Sequence, residues 1–237
     1  PDGYGNSYFW VKPDRIVPLY YVRGVPERLD AAGAVLRPLD EDAVRAEAAW
    51  FRQHDITAVG VCLLHAYANP DHERRVRDLF AEVYPECSLS ISSDVLREYR
   101  EYERSVTTLV DAFVKPTIAR YVRTLATRLA ERAGEGVPFF VMKSNGGVTS
   151  AEGVARAPIT TVLSGPAAGA LGAAAVTGAA GFDRVVTLDG GGTSTDVSLI
   201  ADGRPKLTGE MEVHGYPLKT PALDIHTVGA GGGSIGF

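Results

Sequence analysis

The sequence predicts an α/β protein, and two observations carry that prediction. Residues 40–93 alternate helix, strand, helix, strand, with a 3.6-residue apolar period in the helices and apolar runs in the strands. Residues 185–200 then read as two strands joined by Asp189-Gly-Gly-Gly-Thr-Ser-Thr-Asp196, a glycine-rich β-hairpin. At 237 residues, 45% hydrophobic and 22% charged, the chain is long enough for one large or two small domains with a buried core.

Taken in order, residues 1–15 are irregular, and Ile16 to Arg23 is expected to be a strand that Pro18 confines to an edge. Asp30 to Gly33 reads as a turn into a short strand at 34–37. Asp40 is placed to cap a helix whose first turn holds Glu41 and Asp42, and Val44, Ala48 and Phe51 mark its buried stripe. Ile56 to Leu64 is apolar almost throughout, as a strand buried on both faces requires. Asn69 and Pro70 open the next helix as N-cap and first residue, and Val76, Leu79, Phe80 and Val83 give its period. Ser88 to Ser93 alternates like a strand. A helical stretch then covers about residues 100–133, where Pro116 predicts a kink or a break.

Phe139 to Met142 is expected as a strand ending in the turn Lys143-Ser-Asn-Gly-Gly147, and Ile159 to Leu163 as another. Ser164 to Val176 reads as a helix of small residues with Pro166 at its first position. After the hairpin come a turn at Gly203, strands near 206–214 and 223–228, and the glycine loop 229–236.

The hairpin carries the most chemistry. Three consecutive glycines let a backbone come close to a ligand and present its N–H groups, while Thr193, Ser194 and Thr195 add hydroxyl donors. Asp189 and Asp196 are candidates to hold a hydrated Mg²⁺ or to orient a water. The alternative is an ordinary hairpin turn, although such turns need one or two glycines rather than three followed by Thr-Ser-Thr. The Walker A pattern is absent.

Gly231, Gly232, Gly233 and Ser234 form a second candidate, read as a nucleotide-contacting loop, a structural loop, or a Rossmann loop through the Gly-x-Gly-x-x-Gly spacing of Gly231, Gly233 and Gly236. Ser164 and Gly165, at a helix start, suit an anion or ribose, or simply a helix cap. His65 and His72 lack zinc spacing and are expected to cap or to make surface contacts. Glu98, Arg100, Glu101, Glu103 and Arg104 are expected on a solvated helix face.

A net charge of −5 argues against a nucleic-acid partner. With two cysteines, no signal peptide and no apolar run near 20 residues, the chain points to the reducing cytoplasm and away from membranes. It begins at Pro1 and stops at Phe237 just past a glycine loop, which suggests an internal piece of a longer protein, expected to lack full activity alone.

Together these blocks resemble the hydantoinase A/5-oxoprolinase family. The resemblance rests on Asp189 to Val197, Gly229 to Ile235, Leu63 to Glu73, Arg100 to Arg104, Ser144 to Gly147 and Ser164 to Gly169, in the family's order and over most of the chain. It implies an incomplete actin-like ATPase fold of the ribonuclease H type, with mixed sheets and flanking helices. Residues 1–182 would be the remainder of the first subdomain with its linking helices, and 183–237 the start of the second, phosphate-binding one. It implies ATP and Mg²⁺ as cofactors, with Asp189 and Asp196 serving metal and chemistry and Gly190, Gly191, Gly192, Thr193, Ser194 and Thr195 the phosphates. The implied activity is ATP-driven opening of a cyclic amide of hydantoin or 5-oxoproline type, completed by a second, hydantoinase B-type subunit or domain. An ATP-dependent ketone carboxylase subunit and a non-catalytic actin-like scaffold are the alternatives. Two departures stand out, the absence of the family's first phosphate loop, of Asp-x-Gly-Gly-Thr type, and of the region after the Gly229–Gly236 loop; a smaller one is Gly190, where the family more often has a bulkier apolar residue.

Overall fold

The computed structural model describes residues 15–134, 136–213 and 215–235. The chain is α/β with mixed sheets. A short antiparallel pair, β1 (Arg28–Leu29) and β2 (Val35–Arg37), precedes helix α1 (Glu41–Gln53), whose start is capped as the sequence predicts: Asp40 Oδ1 accepts the Ala43 N–H at 3.0 Å. Strands β3 (Ala58–Val61) and β4 (Ser88–Ile91) run parallel, joined through α2 (Asp71–Val83). Asn69 Oδ1 accepts the Asp71 N–H at 3.0 Å, but the helix begins at Asp71, so Pro70, with helical dihedrals, is the N-cap just before its first residue rather than the first residue itself. Val44, Ala48 and Phe51 of α1 meet Val59, Val76, Leu79 and Phe80 in one apolar core. The apolar run 56–64 leaves its strand after Val61. Leu63 N–H then donates to Glu73 Oε1 and Leu63 carbonyl accepts from Arg104, so side chains of two helices replace the ladder there.

The long helix α4 (Glu101–Ala133) follows the four-residue α3 (Ser92–Val95) and packs on β3 and β4. It runs unbroken through Pro116, contrary to the expected interruption. Buried Ala112 and Ala119 on either side show tertiary packing holding the helix across the lost hydrogen bond. Arg104 is not on a solvated face. It is fully buried, with Nη2 2.8 Å from the Leu63 carbonyl and its guanidinium 5.6 Å from the Tyr67 ring centre. Glu98, Arg100, Glu101 and Glu103 remain at or near the surface.

Two expected strands are not strands. Ile16–Arg23 contains a 3-10 turn at Leu19–Tyr21, where Tyr21 N–H bonds the Pro18 carbonyl and Leu19, Tyr20 and Val22 stay exposed. Ile159–Leu163 falls in a 3-10 turn at Pro158–Thr161, where the Thr160 and Thr161 hydroxyls bond carbonyls three residues back and Asp111 Oδ1 takes the Ile159 N–H. Before it, β5 (Phe140–Met142) and β6 (Val148–Ser150) form a hairpin closed by Ser144-Asn-Gly-Gly, and α5 (Ala151–Arg156) follows. Asn145 Oδ1 accepts the Gly147 N–H, and the buried Ser144 hydroxyl donates toward the Thr160 and Val162 carbonyls. This motif is therefore a turn that anchors the chain entering the next helix.

That helix, α6 (Ser164–Ala179), lies against β7 (Val185–Gly190) and β8 (Thr195–Ala201). Leu163 precedes it in the left-handed region, at φ 61°, and Pro166 is its third residue rather than its first. The two-residue β9 (Arg204–Pro205) pairs with β8. β10 (Leu207–Val213) pairs with β11 (Tyr216–Leu223), a strand whose Pro217 and Pro221 hide it from sequence reading. β12 (Ile225–Val228) completes a sheet of order β12-β8-β7. Contacts cross residue 182: β11 packs on α4, and Leu223 N–H donates to the Ser144 carbonyl.

Candidate functional site

The alternation of strands β7, β8 and β12 decides which side chains meet. Asp189 faces Asp196, and Asp196 faces Thr227, so the three form one row across the sheet. The next row holds Thr187 and Ser198, whose hydroxyls are 2.6 Å apart. These rows point toward α6, and Val186, Leu188 and Leu199 alternate onto the other face. Between sheet and helix lies a cavity of about 180 Å³ lined by Asp189, Asp196, Thr187, Pro166, Gly169 and Ala170, among others. The small residues of α6 create it. A Cβ built at Gly169 would lie 3.7 Å from Asp189 Oδ2, so this carboxylate sits against the helix backbone. Among the described residues, neither aspartate has an ion-pair partner.

The hairpin tip is closed by Gly191 N–H donating to the Ser194 carbonyl at 2.8 Å. The glycine loop then packs onto it. Gly232 N–H donates to the Gly191 carbonyl at 2.9 Å and Gly233 N–H to the Gly192 carbonyl at 3.0 Å. Thr195 Oγ1 donates to the Ala230 carbonyl at 2.6 Å, and Thr227 Oγ1 donates to Asp196 Oδ1 at 2.6 Å. Gly231 N–H and Ser234 Oγ close the loop on itself at 3.0 Å. The contact is backbone on backbone: a Cβ at Gly231 would fall 2.7 Å from the Gly191 carbonyl oxygen.

The glycine loop is therefore a brace for the hairpin. The N–H groups of Gly231, Gly232 and Gly233, predicted as ligand contacts, are spent on internal bonds, as is the Thr195 hydroxyl. The Rossmann reading fails because β12 runs antiparallel to its neighbour; Gly236 lies outside the described residues. The brace has an electrostatic consequence. It occupies the Gly191 and Gly192 carbonyls, and among the described residues the N–H groups of Gly192, Thr193 and Ser194 and the hydroxyls of Thr193 and Ser194 make no hydrogen bond. The tip thus offers a cluster of free donors with the Gly191 and Gly192 carbonyls engaged by the brace, which suits a phosphate. Ser164 and Gly165 lie on the first turn of α6 and do not line the cavity, although Pro166 does.

His72 Nδ1 meets Glu27 Oε2 at 2.8 Å and His65 Nδ1 meets the Tyr67 hydroxyl at 3.4 Å, so the two histidines make separate contacts. No group of three or more His, Cys, Asp or Glu able to cage a metal occurs among the described residues. Two facing carboxylates beside a tip of free N–H groups fit the donor set that Mg²⁺ uses with a phosphate, since it keeps several waters and takes one or two carboxylates. Thr227 is the site residue that sequence reading missed. Its signal was the period of β12, which puts residue 227 in register with Asp196.

The hydantoinase/oxoprolinase family profile matches residues 104–236, and the profile of that family's N-terminal region matches residues 4–84. The chain is 30% identical to the caprolactamase subunit alpha of Pseudomonas jessenii, over 99% of this chain and 34% of that subunit. It is 32% identical to the 5-oxoprolinase of Saccharomyces cerevisiae, over 85% of this chain and 15% of that enzyme. It superposes on the nucleotide-free structure of acetone carboxylase with a TM-score of 0.83 and 31% identity, over 92% of this chain and 31% of that one. The chain thus spans about a third or less of the length of these relatives.

Proposed function

The chain belongs to the hydantoinase/oxoprolinase family, and we propose that it carries one jaw of an ATP-binding clamp in an enzyme that opens a cyclic amide by activating its carbonyl oxygen. The observation that supports it is the cluster of free N–H and hydroxyl donors at the hairpin tip beside the facing carboxylates of Asp189 and Asp196. The N–H groups of Gly192, Thr193 and Ser194 receive phosphate oxygens, and the hydroxyls of Thr193 and Ser194 add donors. Gly190 and Gly191 keep the tip free of side chains, and Thr195 braces it. Asp189 and Asp196 hold Mg²⁺ through its water shell. When bound, the metal neutralises phosphate charge, and the chain's own part is positioning and electrostatic stabilisation.

On this reading the fold is actin-like and divides near residue 182, and a first phosphate loop and a hydantoinase B-type partner complete the site. In the assembled protein, Asp189→Ala is expected to lower ATP turnover with a hydantoin or 5-oxoproline at least a hundredfold. Turnover near the parent level removes Asp189 from the chemistry. A ketone carboxylase subunit is the second reading, favoured by the superposition on acetone carboxylase. Bicarbonate-dependent ATP turnover with a ketone selects it. Calorimetry with Mg-ATP that shows no binding leaves only a scaffold.

A further inference from the structure

We infer that Thr227 is a positioning residue that sets the separation of the two site carboxylates, a role that rests on the reading of Asp189 and Asp196 as the cation-holding pair. Directly opposed residues on neighbouring antiparallel strands have Cβ atoms about 5 Å apart, and like charges placed so repel. Asp189 and Asp196 are such a pair, with no ion-pair partner among the described residues. Strand β8 lies between β7 and β12, so Thr227 reaches Asp196 from the side away from Asp189. Its hydroxyl donates to Asp196 Oδ1 at 2.6 Å, since an ionised carboxylate can only accept. The bond draws the Asp196 carboxylate toward β12, on the side away from Asp189. It keeps open the gap in which a hydrated cation sits between the two acids. The Ala230 carbonyl, three residues beyond Thr227, accepts from the Thr195 hydroxyl. The residues beside the Asp196 pair are thus held by two side-chain bonds to one short segment, and the brace and the cation site are one unit.

The bond is exposed, so it contributes little to folding, and its effect belongs in metal affinity. Outer-shell partners of metal-binding groups typically change affinity about 10–100-fold. The test is Mn²⁺ binding to the complete protein with ADP present and no turnover, followed by electron paramagnetic resonance. Thr227→Val, isosteric and suited to a strand, is expected to weaken Mn²⁺ binding about tenfold. Thr227→Ser, which keeps the hydroxyl, is expected to stay within about twofold of the parent. Thr227→Ala is read in the same way if the valine variant has an altered circular dichroism spectrum. Asp196→Asn, measured in parallel, separates the two levels of the argument. If Asp196→Asn weakens Mn²⁺ binding and Thr227→Val does not, the role of Thr227 is overturned and the cation site stands. If Asp196→Asn also binds Mn²⁺ like the parent, the cation site itself is wrong and the role of Thr227 falls with it.

Discussion

Replacing Gly231 by alanine tests whether the glycine loop braces the hairpin. An ideal Cβ there would lie 2.7 Å from the Gly191 carbonyl oxygen, 2.8 Å from the Gly192 carbonyl carbon and 2.8 Å from the Ser194 nitrogen. All three are backbone atoms, so no side chain can swing away. Gly231 is not among the positive-φ residues, so alanine meets no conformational penalty and the clash acts alone. Two responses are open. The loop can lift off, losing the bonds from Gly232, Gly233 and Thr195, about 1 kcal/mol each and about 3 kcal/mol together. Alternatively the hairpin can shift to absorb the methyl group, at about 1–3 kcal/mol. The cheaper response wins, so the cost is at most about 3 kcal/mol. At that ceiling, exchange of the Gly232 and Gly233 amide hydrogens speeds up about a hundredfold, since each 1.4 kcal/mol is about a factor of ten. Gly232→Ala is the matched control, because its Cβ meets only the Gly191 carbonyl oxygen, at 3.8 Å. Equal exchange at Gly233 in the two variants would refute the brace, and with it the argument that the loop engages the Gly191 and Gly192 carbonyls.

Two further predictions concern a buried acid and two half-buried thiols. Burial pushes the Asp111 carboxyl above the ordinary carboxylate range, against the opposing pull of the Ser90 hydroxyl, the Ile159 N–H and Lys115. The folded state therefore holds a proton that the unfolded chain has released, so stability falls as pH rises from the ordinary carboxylate value through the folded one. Asp111→Asn is expected to flatten that part of a pH series of urea unfolding curves, and an unchanged slope assigns the dependence elsewhere. Burial also raises the Cys62 thiol and pushes the Cys87 thiol up to about 11. At neutral pH about one Cys87 in ten thousand is thiolate, so Ellman's reagent is expected to label neither cysteine until guanidinium unfolds the chain. Prompt labelling of the folded protein contradicts the burial.

Local patterns were legible where a residue acts on near neighbours in the chain. Asp40 caps one helix and Asn69 accepts the first N–H of the next, each from within three residues, and the stripe of Val44, Ala48 and Phe51 needs only the helical period. Reading failed where distant partners decide. Pro116 does not break α4, because the surrounding core holds the helix. Arg104 looked solvated, but the chain turns after Val61 and sets a bare carbonyl, that of Leu63, against its guanidinium. Strand β11 carries Pro217 and Pro221, which only a two-stranded ribbon tolerates.

The sequence by itself determined the α/β class, the glycine hairpin with its two aspartates, and the family, because all of these reside in local spacing and residue type. The tertiary structure alone decided what each glycine segment does. Gly231 to Gly233 and Gly190 to Gly192 are chemically alike in sequence, and only the tertiary structure shows that Gly231, Gly232 and Gly233 spend their N–H groups internally while that of Gly192, with those of Thr193 and Ser194, stays free. Hydrogen bonding assigns each donor to the acceptor that folding brings within reach. Composition cannot say which acceptor that is when 35 residues separate Thr195 from Ala230.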